Sequence, residues 1–358
     1  MKKKGSLKYL FFVTKPYSFP ILEPIQDTVN TLNAGSVYWY TASSARDYQP
    51  PGPQLLTSTE VIEYDPDAIL VPGNIVPHFW PGLKVQIFHG IDDEPKGFYR
   101  ITGFFVLYCT PGPDMTTRFK QLAQQKGHFL VEETGWPKLD PIGPLVNISD
   151  TDKRKLKKKY GLDPNQSVVL YAPTFPPKYT SAPDLFQTIK GLKNRFQWLI
   201  KFHPLMNKAV QQQYQELSNA NFIICEDLNI INYMSVADLL ITDTSSVAYE
   251  FLAFDRPVIT YRAIARQDKG INIIAAEDLI GAIERAMAEP QEFSENRAKY
   301  RNQIHPYSDG KSSSRIINCI ENIIQSESHK QLKPKPRNWI RKQQIRRLIE
   351  AQYNSDKR

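Results

Sequence analysis

The chain has 358 residues, 41% of them hydrophobic and 23% charged, with a formal net charge of +8. That length accommodates two domains of ordinary size, and the composition is that of a soluble globular protein. No apolar run approaches the roughly 20 residues of a membrane span, and the scattered Cys109, Cys225 and Cys319 form neither a disulfide framework nor a metal-ligand pair, as suits a reducing cytoplasm.

Lys2-Lys3-Lys4 followed by Tyr9 to Val13 has the outline of a signal peptide, but Lys15 and Pro16 interrupt an apolar core that is too short. We read a buried first strand at 7–13 instead, with further strands at 36–41, 68–71, 84–88, 104–108 and 129–132. Short apolar runs alternating with helical patterns predict α/β layers around parallel sheets. The segment 150–160 is dense in lysine and is expected to be a solvated helix after a domain crossing, with a basic phosphate-binding face as the alternative. A second α/β set follows, with strands at 167–171, 198–202, 222–225, 239–242 and 258–261, and helices near 184–192, 208–217, 230–236, 247–254, 277–288 and 312–324. The expected domains are 1–150, 151–328 and a tail at 329–358, the first two being Rossmann-like halves facing a cleft. Ligands in such sheets bind beyond the carboxyl ends of the strands.

The residues able to do chemistry fall in those loops. His89-Gly90 follows the strand at 84–88; a histidine there is either a general base near neutral pH or a structural residue. Asp92-Asp93-Glu94 reads as a polar turn, because no partner metal ligand is evident. Thr174 ends Tyr171-Ala-Pro-Thr. Lys201 and His203 alternate with Phe202, so both can point to one side of a strand end, where positive charge suits a diphosphate. Glu226-Asp227 either binds ribose hydroxyls or caps the next helix. Thr242-Asp243-Thr244-Ser245-Ser246 leads into a helix carrying Glu250. A helix start offers unpaired N–H groups and a positive dipole end, so its hydroxyls make either a phosphate seat or an ordinary N-cap. Asp309-Gly310-Lys311 precedes another helix start; it lacks P-loop spacing but leaves a second phosphate-facing turn open. No Gly-x-Gly-x-x-Gly or Gly-x-Ser-x-Gly pattern occurs, which disfavours dinucleotide enzymes and α/β hydrolases.

The charge is localised. From His329 onward there are ten Lys/Arg and two acids, a difference equal to the whole excess. A neutral body argues against nucleic-acid binding. In the tail, Trp339 and Ile340, then Ile345, Leu348, Ile349 and Tyr353, lie at helical spacing among the basic residues. Such a helix suits an anionic membrane surface; the alternative is a solvated tail or one packed on a partner.

Together, His89-Gly90, Thr134-Gly-Trp-Pro-Lys-Leu-Asp140, Tyr171 to Thr174, His203-Pro204, Asp238 to Phe251, Pro257 to Tyr261 and Asp309 to Arg315 run in the order of the CDP-glycerol glycerophosphotransferase family, which the chain resembles over about 84–320. The resemblance implies a GT-B-like fold, no cofactor and no metal. His89 falls on the family's presumed base and His203 on its second histidine, near the donor diphosphate. Thr242, Ser245 and Ser246 fall on the diphosphate loop, and Lys311 on a basic residue after glycine. Thr244 stands where the family has tyrosine, and Asp92-Asp93-Glu94 replaces a neutral-to-basic run after the His-Gly. The implied reaction moves glycerol phosphate, or a related alditol phosphate, from a CDP-linked donor to a lipid-linked or polymeric acceptor hydroxyl at the cytoplasmic face of the membrane. The alternatives are a nucleotide-sugar glycosyltransferase or epimerase on the same scaffold, and a non-catalytic nucleotide- or polymer-binding relative.

Overall fold

A computed structural model of the protein describes residues 7–90, 99–146 and 148–355. The chain divides into two compact units, Met1–Asp140 with Ile304–Arg358, and Pro141–Gln303.

The first unit is built on β1 (Leu7–Val13), β2 (Gly35–Thr41), β3 (Ala68–Val71), β4 (Leu83–Ile87), β5 (Leu107–Thr110) and β6 (Leu130–Glu133). All pair in parallel, in the order β2-β1-β3-β4-β5-β6. Leu-Lys-Tyr-Leu-Phe-Phe-Val makes β1 a central strand because its apolar run suits a sheet covered on both faces. The expected strand at 104–108 lies at Leu107–Thr110 instead. Phe104 and Phe105 are buried, but as core side chains ahead of the strand, so their apolar character comes from packing and not from ladder pairing.

The second unit repeats the plan with β7 (Val168–Tyr171), β8 (Gln197–Ile200), β9 (Phe222–Ile224), β10 (Leu239–Thr242), β11 (Val258–Tyr261) and β12 (Ile271–Ile273), ordered β12-β11-β10-β7-β8-β9. β12 was not expected; three residues are too short a run to signal a strand. In each sheet the order reverses once, between β1 and β3 in the first and between β7 and β10 in the second. At such a switch point the connecting helices diverge to opposite faces and open a crevice at the strands' carboxyl ends.

The boundaries differ from those expected at 150 and 328. Residues 304–328 belong to the first unit, where Ile316, Ile317, Ile320 and Ile323 bury one face of the helix Ser312–Ser326. The segment 329–358 is also part of that unit and not a separate tail. Lys333 N–H donates to the Gly127 carbonyl, Asn338 Nδ2 to that of Thr102, and Ile345 and Ile349 of the helix Trp339–Ser355 enter the core. The apolar stripe predicted to face a membrane therefore faces the protein, while Trp339 and Ile340 remain exposed. Among the described residues no helix is long and apolar enough to cross a membrane.

The lysine-rich helix Asp150–Lys159 is only partly solvated. Lys153 and Lys157 turn inward to the Asp238 carboxylate at 2.5 and 3.1 Å, which also accepts from Val168 N–H at 2.9 Å. Burial alone would raise the Asp238 pKa; the two lysines and the amide bring it below the ordinary value.

Candidate active site

The switch point of the first sheet is where His89 sits. It follows β4 by two residues. Its Nδ1 lies 3.2 Å from the Pro72 carbonyl, at the end of β3, and its ring 5.7 Å from the ring of Tyr17, beyond the end of β1. A carbonyl only accepts, so Nδ1 carries the proton and Nε2 keeps its lone pair. Burial lowers the imidazole pKa, with the Pro72 carbonyl pulling the other way, so the ring is neutral at pH 7. A neutral imidazole with a fixed tautomer is the form a general base requires. Gly90 is buried beside it, and Asp92-Asp93-Glu94 lie outside the described residues.

Three residues that the sequence reading left without a role hold this end of the unit together. The Trp136 indole N–H donates to the Phe88 carbonyl at 2.7 Å, with both residues buried, and so fixes the backbone one residue before His89. Gly135 has φ +82°, and a Cβ there would stand 2.5 Å from Ser312 Oγ, so glycine is needed for the close approach. Asp140 accepts from the N–H groups of Ser312 and Ser313 at 2.8 and 2.7 Å. This helix start therefore already holds a carboxylate and is not the open phosphate seat the sequence allowed. Asp309 is engaged as well: it pairs with Arg315, which holds its carboxyl below the ordinary value, and accepts from Lys311 N–H at 3.1 Å. Gly310 takes φ +68°, and Lys311 is exposed. All three belong to the first unit, not to the second where the sequence had put them.

In the second unit the switch point carries the hydroxyl-rich turn. Thr242 is fully buried, and its hydroxyl donates to the Ala172 carbonyl at 2.6 Å, tying the end of β10 to the end of β7. Asp243 is 1% exposed and accepts from Thr174 N–H at 2.9 Å and from Ser181 N–H and Oγ, each at 2.9 Å. Burial raises its pKa, while these hydrogen bonds oppose the shift. Thr242 and Asp243 thus frame the turn from behind. Thr244, Ser245 and Ser246 form its half-buried surface. Ser246 is the N-cap of the helix Val247–Phe251, and its side chain makes no capping bond. The first N–H groups bond loosely to Ser245, at 3.4 Å from Val247 to Oγ and 3.3 Å from Ala248 to its carbonyl. Glu250 is buried on that helix.

His203 and Lys201 follow β8, which neighbours β7. The His203 ring stacks on Phe175 at 4.4 Å between centroids, and its Nδ1 accepts from Leu205 N–H at 3.1 Å. The proton is therefore on Nε2, the tautomer opposite to that of His89. A stacked imidazole with Nε2–H is a donor suited to a phosphate oxygen. The Lys201 ammonium reaches the Cys225 carbonyl at 3.4 Å. Glu226 and Asp227 are exposed, and the first N–H of the helix Ile231–Val236, that of Ile231, donates to Asn229 Oδ1 at 3.0 Å. The structure thus brings Thr174, Thr242 to Ser246 and Glu250 together at one switch point, with Lys201 and His203 on the adjoining strand end. His89 and Gly90 stand at the other unit's switch point.

Two parallel-sheet units of this kind define a GT-B-like fold. The wall teichoic acid polymerase TagF shares it, with a TM-score of 0.67 at 17% identity over 90% of each chain. So does a UDP-GlcNAc 2-epimerase from Neisseria meningitidis, with a TM-score of 0.63 at 15% identity over 88% of this chain and 100% of that one. Residues 107–322, more than half of the chain, match the CDP-glycerol:poly(glycerophosphate) glycerophosphotransferase family, and the chain belongs to it. A teichoic acid glycerol-phosphate primase of Bacillus subtilis (strain 168) is 28% identical over 249 residues, 64% of this chain and 61% of that protein. A teichoic acid poly(glycerol phosphate) polymerase of Bacillus spizizenii is 25% identical over 162 residues, 42% and 39% of the two chains. The match thus spans less than two thirds of these relatives' length.

Proposed function

We propose that the protein transfers glycerol phosphate, or a related alditol phosphate, from a CDP-linked donor to a hydroxyl of a lipid-linked or polymeric glycan acceptor. The observation that carries this reading is the neutral His89, whose Nδ1–H is committed to Pro72 so that Nε2 is the basic nitrogen. His89 takes the acceptor's proton. The acceptor oxygen then forms a bond to the donor's β-phosphorus while the bond to CMP breaks. Thr244, Ser245, Ser246, Lys201 and the Nε2–H of His203 bind the diphosphate and hold the charge that builds on CMP. Chemistry of this kind depends on positioning and electrostatic stabilisation. Thr174, Glu226 and Asp227 complete the nucleotide site. The first unit is the acceptor side and Pro141–Gln303 the donor side.

We also propose a peripheral location on the cytoplasmic face of the membrane, in the synthesis of a teichoic-acid or capsular polymer. Exposed Trp339 and Ile340 within the basic C-terminal segment support it. The enzymatic reading is tested by a donor panel of CDP-glycerol, CDP-ribitol and a UDP-sugar, each with an acceptor-lipid preparation. Release of CMP from the CDP-alditols alone is expected. Release of UDP would assign a glycosyltransferase instead, and donor binding without turnover on any acceptor would assign a non-catalytic relative.

A further inference from the structure

A second cationic site lies at the other end of the first sheet. His89 follows the carboxyl end of β4, whereas Lys84 stands at that strand's amino end. There a cavity of about 220 Å³ is lined by His78, Lys84, Phe104, Lys335, Pro336 and Lys342, among others. No carboxylate lines it among the described residues.

The C-terminal segment is seated to complete this cavity. Pro336 lies on Gly103, whose φ is +77° and where a Cβ would stand 2.4 Å from Pro336 Cγ, so only glycine admits the segment. Lys335 Nζ donates to the Phe105 carbonyl, and the helix beginning at Trp339 brings in Lys342. The Lys84 ammonium is anchored on the carbonyls of Trp80, Pro81 and Gly82, the latter two at 3.2 and 2.8 Å. It supplies fixed charge, whereas Lys335 has donors beyond its one bond to Phe105. His78 Nδ1 is buried and has no hydrogen-bond partner among the described residues. Lys335 and His78 feel their neighbours as like charges. Burial holds Lys84 down to about 8; burial and then Lys84 hold Lys335 down to about 8; and burial, Lys342, Arg346 and Lys84 lower His78. Cations gathered at one cavity, with no acid among the described residues that line it, repel each other, and a bound anion relieves that repulsion.

We propose that this cavity binds a phosphoryl anion, held by His78, Lys335 and Lys342 in the field of Lys84. The site is separate from the residues assigned to transfer and does not depend on that reaction. A lipid headgroup and free phosphate share this chemistry, and vesicle binding distinguishes them.

The test titrates the full-length protein with inorganic phosphate at constant ionic strength, reading heat of binding and Tm. Wild type and the Lys335→Gln/Lys342→Gln double variant are compared, neither residue being part of the transfer site. The double variant should bind phosphate at least tenfold more weakly at one class of sites while keeping its transfer rate. Should it fail to fold, Lys342→Gln alone, a half-buried change on a helix, should weaken binding at least threefold. Equal phosphate titration by wild type and folded variant would overturn the site. In the second arm, co-sedimentation is measured with phosphatidylglycerol/phosphatidylcholine vesicles and with phosphatidylcholine alone. Loss of phosphatidylglycerol binding in the variant, with competition by phosphate, assigns the site to a lipid headgroup. Equal sedimentation alongside weakened phosphate binding assigns it to a free phosphate.

Discussion

Replacing Trp136 by Phe tests whether the strand end that carries His89 is held from a distance. The indole N–H bond to the Phe88 carbonyl is 2.7 Å long and buried at both residues. Removing a donor from a buried carbonyl costs about 1–3 kcal/mol. Shrinking indole to phenyl removes roughly one to two methylene equivalents of buried surface, at about 0.8 kcal/mol each. The sum is about 2–5 kcal/mol, which corresponds to a fall in Tm of roughly 4–20 °C for a unit of this size. The freed carbonyl lets His89 drift, and a shift of about 1 Å in a reacting group lowers rate by on the order of 100-fold. We expect kcat for CMP release at saturating CDP-glycerol to fall roughly 10- to 100-fold, with the donor KM within about twofold of wild type. The assay is run at a temperature where circular dichroism shows the variant folded. A destabilised variant with wild-type kcat would refute a positioning role and leave Trp136 a core residue only.

Asp243→Asn should weaken the frame of the hydroxyl turn. An amide in place of one carboxylate oxygen turns donors toward the N–H groups it held, so stability should fall by about 2–4 kcal/mol in urea unfolding. The donor KM should rise, and an unchanged KM would detach Asp243 from the nucleotide site. The lowered pKa of His89 places the acid limb of kcat/KM below 6.5, because activity needs the neutral ring and is lost as pH falls through the folded-state value. A limb above 6.5 would contradict the assignment of His89 as base. Asp238, whose pKa is lowered, contributes stability that is present above the unfolded value and lost as pH falls through the folded one. Asp238→Asn should therefore cost about 1–3 kcal/mol at pH 7, and the cost should shrink progressively as pH falls below 3.8, measured by urea unfolding. A cost that does not change with pH would show that its pairing with Lys153 and Lys157 adds nothing.

What could be read from the sequence was local. The apolar runs of β1, β3 and β10 stand at the predicted residues because buried parallel strands are continuous in sequence. The loops at the carboxyl ends of the strands were legible for the same reason, and His89, His203 and Ser245-Ser246 fall in them. The supports were not legible, because each joins residues distant in the chain: Trp136 to Phe88 across 48 positions, Asp140 to Ser312 across 172. Trp136 and Asp140 stood within a recognised motif, which was the available signal, whereas nothing local marked Tyr17 or the Pro72 carbonyl. The C-terminal helix shows the same limit. Its apolar spacing was visible at Ile345 and Ile349, but the surface they cover was not.

The reading rests on a base at one switch point and a donor seat at the other being separable functions. The most direct measurement is His89→Ala, with CDP-glycerol binding by calorimetry and CMP release in the presence of acceptor. The predicted result is donor affinity within threefold of wild type and turnover lower by about 10²–10⁴. Turnover at the wild-type rate, or loss of donor binding in step with activity, would contradict it.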